Sequence, residues 1–410
     1  MGEERRDYPS IMVNAKRDAS SYESRGYMRE ITDGNILYDA YLVAKKGSDW
    51  KPQVQKYEMV WLLELAKAQR ELQAREYKFK STTSFTLHER GKVRRITGEQ
   101  LPDRIAKHAL CDEALNPQIM PQLIYDNGAS QKGKGIDFAR RRLLAHLRRF
   151  YAKHGSNEGY ILLIDYAKYY DNIRHDELLR IFRRYVDDPC AWWLLEKTID
   201  RSIVDVSYMN GAEYAACMDT VFDAREYAKI DPRRLTGEKL MRKHLNIGDQ
   251  VAQTAGIVYP MEIDNYVKIV CGEKYYGRYM DDSYLIHEDK NHLLAMLDAI
   301  EREAAKLGIT INRKKTRICK LSDRWRFLQV QYSLTETGRV MQKINPKRVT
   351  AMRRKMKKLA PKLSEADFSA LYKSWFGSHY KLMSRQQRAN MDALYTKLLE
   401  ENHGLHNNPS

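Results

Sequence analysis

Two adjacent aspartates set inside a β-prone run constrain this chain more than any other feature. In Lys274-Tyr-Tyr-Gly-Arg-Tyr-Met-Asp-Asp-Ser-Tyr-Leu-Ile-His287, aromatic and apolar residues flank Asp281 and Asp282 on both sides, a pattern that reads as strand, tight turn, strand. Neighbouring carboxylates at such a tip repel one another and lose solvation, which is tolerated where a cation or a hydrogen-bond network compensates. Oxygen donors of this kind suit Mg²⁺, which takes one or two carboxylates and leaves its other positions to water and phosphates. A bare Asp-Asp pair is more often the turn of a surface hairpin. Here it has a counterpart: Tyr160-Ile-Leu-Leu-Ile-Asp165 runs five apolar or aromatic residues into a single acid, as expected of a strand buried on both faces with its aspartate at the carboxyl end.

These two segments resemble motifs A and C of the reverse transcriptase palm. The resemblance implies an α+β, right-hand polymerase fold with fingers, an antiparallel-sheet palm and a helical thumb. It implies two Mg²⁺ ions, with Mn²⁺ as a substitute, ligated by Asp165 and Asp281 and supported by Asp282. One ion would activate a primer 3′-hydroxyl and the other would neutralise the triphosphate and departing pyrophosphate. Tyr170, five residues beyond Asp165, stands where the family places an aromatic that leaves no room for a 2′-hydroxyl, so deoxynucleotides are expected. Tyr166, directly after the aspartate, is expected to line the nucleotide site.

The 410 residues carry 71 basic and 54 acidic side chains, a formal charge of +17, which points to a polyanionic partner. The five scattered cysteines contain no Cys-x-x-Cys pair, which argues for reduced thiols in a cytoplasm and against a zinc knuckle. The longest apolar runs are too short to span a bilayer, and no signal peptide is read at the start. No membrane partner is expected.

Residues 1–56 read as a polar N-terminal extension with one short helix, 57–150 as fingers, 151–334 as palm with an insertion at about 200–240, and 335–410 as thumb and tail. From Tyr57 to Tyr77 the apolar spacing of Met59, Trp61, Leu62, Leu63, Leu65 and Leu72 predicts one amphipathic helix. Ser84 to Ile96 is a hairpin candidate turning near Arg90-Gly91; by resemblance, Lys92 and Arg94 grip the incoming triphosphate. Asp103 is placed to cap or favour the start of the next helix. Tyr125 to Gly135 is a glycine-rich basic loop in which Lys132 and Lys134 offer point charges to a nucleic-acid backbone, ahead of a helix rich in arginine. Its spacing does not satisfy a Walker loop.

Leu245 to Tyr259 occupies the place of motif B. It carries Ile247, Gly248 and Gln253 as diversity-generating retroelement reverse transcriptases do, but has Ala252 where a serine is usual. Gly248 and Gln253 are expected beside the nucleotide. Leu293, Leu294, Leu297, Ile300 and Ala304 predict a helix under the palm with Gly308 as its cap. Lys315 lies in a motif-D-like Asn-x-x-Lys-Thr, near substrate phosphates and able to protonate pyrophosphate. Phe327 and Leu328 sit where a primer-grip hairpin belongs, with Gln329 replacing the commoner glycine. Lys347 to Lys362 holds eight basic side chains and no acid, broken at Pro361, and Arg353, Arg354 and Lys357 are read as a phosphate track. Leu371, Trp375, Tyr380, Met391, Leu394 and Leu398 are candidates for the thumb core.

The reading is therefore an RNA-directed DNA polymerase without a companion nuclease, copying an RNA template into cDNA. It would serve a diversity-generating retroelement, with a template-repeat RNA and a small basic accessory protein as partners. The alternatives are an antiviral-defence enzyme with a noncoding RNA and an inactive RNA-binding module.

Overall fold

A computed structural model of the chain describes residues 30–89 and 92–404, the side chains of 88, 89 and 92–95 excepted. In chain order its main elements begin with helices α1 (Gly34–Lys45), α2 (Pro52–Glu58) and α3 (Trp61–Gln73), strands β1 (Thr83–Glu89) and β2 (Lys92–Gly98), and α4 (Leu101–Ala109). Then follow α5 (Ile136–His154), β3 (Tyr160–Ile164), α6 (Gln250–Val258), β4 (Tyr276–Tyr279), β5 (Asp282–His287) and α7 (Lys290–Lys306). The chain closes with β6 (Arg317–Lys320), β7 (Trp325–Phe327), β8 (Val330–Leu334), β9 (Val340–Ile344) and helices α8 (Pro346–Leu359), α9 (Glu365–His379) and α10 (Arg385–His403). Helices and antiparallel strands occupy separate layers, so the α+β class holds.

The chain divides into two compact units. The first takes residues through Gln122 together with His175–Val204 and Leu245–Ala255. In it α1 packs on α4, burying Ile36, Leu37, Ala40, Tyr41 and Ala44, so the short helix expected within the polar extension is a twelve-residue helix with a core face. Residues 1–29 of that extension lie outside the described residues. The single helix expected over 57–77 is instead α2 and α3, interrupted at Met59-Val60. Only Leu65 and Leu72 of α3 are buried, whereas Met59, Leu62 and Leu63 are exposed. Spacing alone could not tell which of two overlapping apolar stripes meets the core.

Asp103 does not cap α4, whose N-cap is Gln100. It is fully buried and accepts hydrogen bonds from the Tyr77 hydroxyl (3.0 Å), the Lys80 amide (2.9 Å) and Arg201 Nη1 (3.2 Å). The carboxylate pins three segments to one point, a structural role.

The second unit holds a four-stranded antiparallel sheet in the order β4-β5-β3-β6. Strand β3 is buried on both faces, as its uninterrupted apolar run predicts, and the middle of β5 is buried as well. Buried Leu293, Leu297, Ile300 and Ala304 form the inner stripe of α7, while Leu294 is exposed; the helix ends with Gly308 at φ +69°, a left-handed stop. Leu143, Leu147 and Phe150 of α5 share one core with Ile161, Leu163, Tyr284 and Ile286, and with Trp325 and Tyr332 of a second sheet, β9-β8-β7. The C-terminal helices enclose a further core of Met352, Met356, Phe368, Tyr372, Met391 and Leu398. Leu371, Trp375 and Leu394 pack against it, but Tyr380 is exposed.

The insertion expected at about 200–240 contains short helices, Gly211–Ala216 with an Asn210/Glu213 capping box and Ala224–Tyr227. Buried Lys243 ties it down by donating to the carbonyls of Met218 and Thr220. All five cysteines are free. Among the described residues no helix is long and apolar enough to cross a membrane.

Candidate active site

The carboxylates singled out in the sequence meet in the second unit because of strand register. β3 and β5 pair antiparallel with Ile164 opposite Ser283, so Asp165, one residue further, falls beside Asp282. Tyr279 pairs with Asp282, leaving Met280 and Asp281 as a two-residue turn. Met280 takes φ +56°, the left-handed conformation such tight hairpins require. Arg278 holds this turn from beneath, donating from Nη1 to the Met280 carbonyl at 3.0 Å.

Asp165 is anchored by its backbone, whose carbonyl accepts from the Asn312 amide at 2.8 Å. Its carboxylate receives Lys315 Nζ on both oxygens, at 3.1 and 2.9 Å, and Asn312 Nδ2 at 3.1 Å. The Asn-x-x-Lys-Thr segment thus delivers a cation to this acid. Tyr170 lies nearby, its hydroxyl 3.9 Å from Met280 Sδ, and its ring abuts Gly256, where a Cβ would stand 2.3 Å from the phenol oxygen. Tyr169 donates to the Gly256 carbonyl at 2.8 Å, so the helix glycine is gripped by two consecutive tyrosines. Tyr166 is buried, packs on Tyr169 and has its phenol pushed up by burial. Its side chain therefore points away from solvent.

The groups the sequence reading missed lie just behind the turn. Arg278 and Asp264 form a fully buried pair, and Asp264 also accepts from Tyr276 at 2.8 Å. An arginine two residues before the turn, inside an otherwise apolar strand, was the available signal. Asp126 carries its own cluster: Arg142 Nε at 2.6 Å, Lys268 Nζ at 2.9 Å and His146 Nε2 at 3.5 Å. Burial alone would raise the Asp126 carboxyl, but its hydrogen bonds from His146, Arg142 and Lys268 hold it well below the usual carboxylate range. The backbone of Asp126 accepts from the Arg278 amide, tying this cluster to the Asp281-Asp282 hairpin.

The glycine-rich loop uses its lysines unequally. Lys132 is exposed. Lys134 instead donates to the carbonyls of Tyr125 and Asn127 at 3.0 and 3.1 Å and lies over the Tyr125 and Phe138 rings, so it closes the loop rather than facing outward. Phe327 and Val330 pair across a two-residue turn, Leu328-Gln329, with φ +44° and +70°. Gln329 thus adopts the conformation for which glycine is commoner. Phe327 is buried in the core, while Leu328 stays partly exposed and its carbonyl accepts from Arg140. On α8, Arg353, Arg354 and Lys357 are exposed, with Met352 and Met356 as the inward stripe.

In the first unit β1 and β2 form the expected hairpin, Leu87 opposite Arg94 and Glu89 opposite Lys92. The side chains of Lys92 and Arg94, and the turn at Arg90-Gly91, lie outside the described residues. The Gly248 segment is docked on this hairpin: the Thr97 amide donates to the Ile247 carbonyl at 3.0 Å, and Gly248, at φ +145°, has the Thr97 carbonyl 2.4 Å from where a Cβ would be. Lys107, almost entirely buried, reaches Glu99 Oε1 at 2.5 Å and Asp249 Oδ2 at 2.6 Å. Burial pushes the Glu99 carboxyl up, and Lys107 opposes this. Asp249 caps α6 through the Ala252 amide, so buried Ala252 fits a cap that needs no serine hydroxyl; Gln253 is exposed.

Metal capacity can be tested on the donor set. Among the described residues no group of three His, Cys, Asp or Glu is drawn together closely enough to cage an ion unaided. Asp165, however, already holds an ammonium group on both oxygens, and the adjacent turn adds the carboxylates of Asp281 and Asp282. A hard cation that keeps open positions for phosphate oxygens fits this pattern better than a closed structural site.

Residues 89–332, more than half of the chain, match the family described as Reverse transcriptase (RNA-dependent DNA polymerase). Among solved structures the chain is similar to a telomerase from Candida albicans in complex with a fragment of telomeric RNA, at 10% identity and a TM-score of 0.40. The likeness covers 82% of this chain, which spans 62% of the telomerase chain. No curated protein matches the sequence.

Proposed function

Because the chain belongs to the reverse transcriptase (RNA-dependent DNA polymerase) family, we propose that it extends a primer with deoxynucleotides on an RNA template. The observation that carries the reading is the register placing Asp165 beside Asp281-Asp282, with Tyr170 against the same turn. Asp165, Asp281 and Asp282 would hold divalent metal, Mg²⁺ or Mn²⁺, which when bound activates the primer hydroxyl and neutralises the triphosphate. The 3′-oxygen attacks the α-phosphorus and pyrophosphate leaves.

The chain's own residues position and discriminate. Lys315 stands at Asp165 and can pass a proton to the leaving pyrophosphate as charge builds there. Tyr170, backed by Gly256, occupies the volume a 2′-hydroxyl would need. Tyr166 contributes by supporting Tyr169 rather than by its phenol. For the first unit we assign Lys92 and Arg94 to the triphosphate, and Gly248 and Gln253 to the nucleotide. Lys132, Leu328, Arg353, Arg354 and Lys357 would meet nucleic-acid backbone, with Phe327 as the buried root of the primer-grip turn.

The finer reading is a diversity-generating retroelement enzyme acting on a template-repeat RNA with a small basic accessory protein, supported by Ile247, Gly248 and Gln253. The departure at Ala252 leaves room for the alternative, an antiviral-defence enzyme with a noncoding RNA. Primer extension on RNA with Mg²⁺, offering dNTPs or rNTPs and with Asp281→Ala as control, tests the activity. DNA product lost in the variant supports it; RNA binding without product in either protein would leave the binding-module reading. Errors concentrated opposite template adenines would favour the retroelement subgroup.

A further inference from the structure

Helix α5 buries Leu143, Leu147 and Phe150 in the core of the second unit and turns a different face outward. Arg141, Arg148, Arg149 and Lys153 are exposed on that face, interspersed with Ala145 and Ala152. None of the four cations has a hydrogen bond or ion pair in the described structure. Some exposed cations of the same unit are compensated, as in Arg233 with Asp231, Lys229 with Glu226 and Lys306 with Glu303, whereas these four, like Arg353, Arg354 and Lys357 of α8, are not. From Arg141 to Lys153 the helix has no acid; its one aspartate, Asp137, lies in the first turn, one turn before Arg141, and pairs with Arg140.

Twelve residues of helix separate Arg141 from Lys153, about 18 Å along the axis. Four unpaired cations over that distance make a linear polycation, and the alanines between them keep the ridge low enough for a phosphate backbone to approach the helix. A membrane surface is the poorer match, because the arc has no large apolar side chain to enter a lipid interface. The ridge is also fixed in place. The β8–β9 turn packs on α5, with the Tyr151 hydroxyl donating to the Glu336 carbonyl at 2.7 Å and Gly338 seated against the Tyr151 ring.

We propose that the outward face of α5, Arg141, Arg148, Arg149 and Lys153, is a docking surface for duplex RNA, separate from the residues assigned to primer, template and nucleotide. It would hold a structured part of an RNA through its phosphates, without reading sequence. The choice of RNA as the polyanion rests on the polymerase reading; the surface itself does not.

The test replaces all four cations by glutamine, which suits an exposed helix. Binding of a 20-base-pair RNA hairpin is measured against salt, alongside primer extension on a short primer-template. At low salt the hairpin should bind at least about tenfold more weakly, and the slope of log K against log salt should shrink by roughly three units, near 0.7–0.9 per lost phosphate contact. Kinetic constants for dNTP should stay unchanged. An unaltered slope would overturn the proposal. So would equal losses on the hairpin and on extension, or a loss confined to phosphatidylserine vesicles. If neither protein extends a primer, the polymerase reading fails while the hairpin comparison still decides the surface.

Discussion

Arg278 and Asp264 face one another with neither side chain exposed, the guanidinium reaching the carboxylate through Nε at 2.8 and 2.9 Å and through Nη2 at 2.6 Å. Burial would make the guanidinium easier to deprotonate, but the charge of Asp264 overrides this and holds Arg278 ionised. The remaining donors go to the carbonyls of Met280 and Ile257. One buried ion pair thus sets the height of the turn that carries Asp281.

Removing one partner of such a pair leaves an uncompensated charge in the core, a loss of about 3–5 kcal/mol. Arg278→Gln should therefore lower the urea midpoint strongly and abolish primer extension. Arg278→Lys keeps the charge, but three donors on one nitrogen cannot replace a planar fork that serves the carboxylate from two nitrogens and both carbonyls as well, so it should retain more stability than activity. Equal stability of Arg278→Gln and wild type in urea unfolding would show that the pair does not hold the turn.

Gly248 has a tighter constraint than its place in a motif conveys. At φ +145° with the Thr97 carbonyl 2.4 Å from a notional Cβ, any side chain forces the loop off β2. Gly248→Ala should cost about 1–3 kcal/mol in backbone strain alone. Its dNTP KM should rise further than the stability change accounts for, measured by steady-state extension beside thermal unfolding. An unchanged KM would separate the loop from nucleotide binding.

The strands around the aspartates were legible because β3 is an unbroken apolar run ending at Asp165 and because β-prone residues flank Asp281 and Asp282 on both sides. The hairpin at Phe327 was legible from alternation and its position. Asp103 lies in the first turn of α4, where an acid favours the helix start, but it does not cap it; that its carboxylate is buried instead is decided by Tyr77, Lys80 and Arg201, distant in sequence. The bonds of Lys134 were not legible either, since its partners are carbonyls and carbonyls leave no trace in side-chain identity. The exposed Met59, Leu62 and Leu63 show the limit of periodicity, which finds a stripe but not the surface it meets.

The cluster behind the hairpin makes the fold sensitive to acid. His146 is buried, its Nε2 facing the Arg142 guanidinium at 3.4 Å and its Nδ1 facing the Tyr284 hydroxyl at 3.0 Å. Burial pulls its pKa down, and this prevails over the attraction of Asp126. In the unfolded chain an imidazole takes a proton below about 6.5, whereas the folded site resists it, so the unfolded state binds more protons. Stability should fall as pH drops from 7 toward the depressed folded value. The contribution of Asp126, whose pKa is lowered, should persist until pH falls below about 4. Urea unfolding at pH 7 and 5 should show a smaller difference in His146→Gln than in wild type; identical differences would place the titration elsewhere.

Tyr170 and Gly256 should act as one gate. The phenol ring rests where a Cβ on Gly256 would lie, 2.3 Å from the oxygen and 2.8 Å from Cζ. Alanine at a helix interior normally adds up to about 1 kcal/mol of stability over glycine. Gly256→Ala should lose that gain to the collision and, by displacing the ring, impair deoxynucleotide incorporation. Tyr170→Ala opens the volume instead, and the preference for dNTP over rNTP should fall by at least about tenfold, the scale of a packing discrimination. In the double variant the alanine methyl has no ring to strike, so incorporation should recover relative to Gly256→Ala while ribonucleotides remain accepted. Competition of dNTP against rNTP in single-nucleotide extension reads all three proteins. Unchanged selectivity in Tyr170→Ala would remove this tyrosine from the substrate site, and additive losses in the double variant would show that the glycine serves something other than the ring.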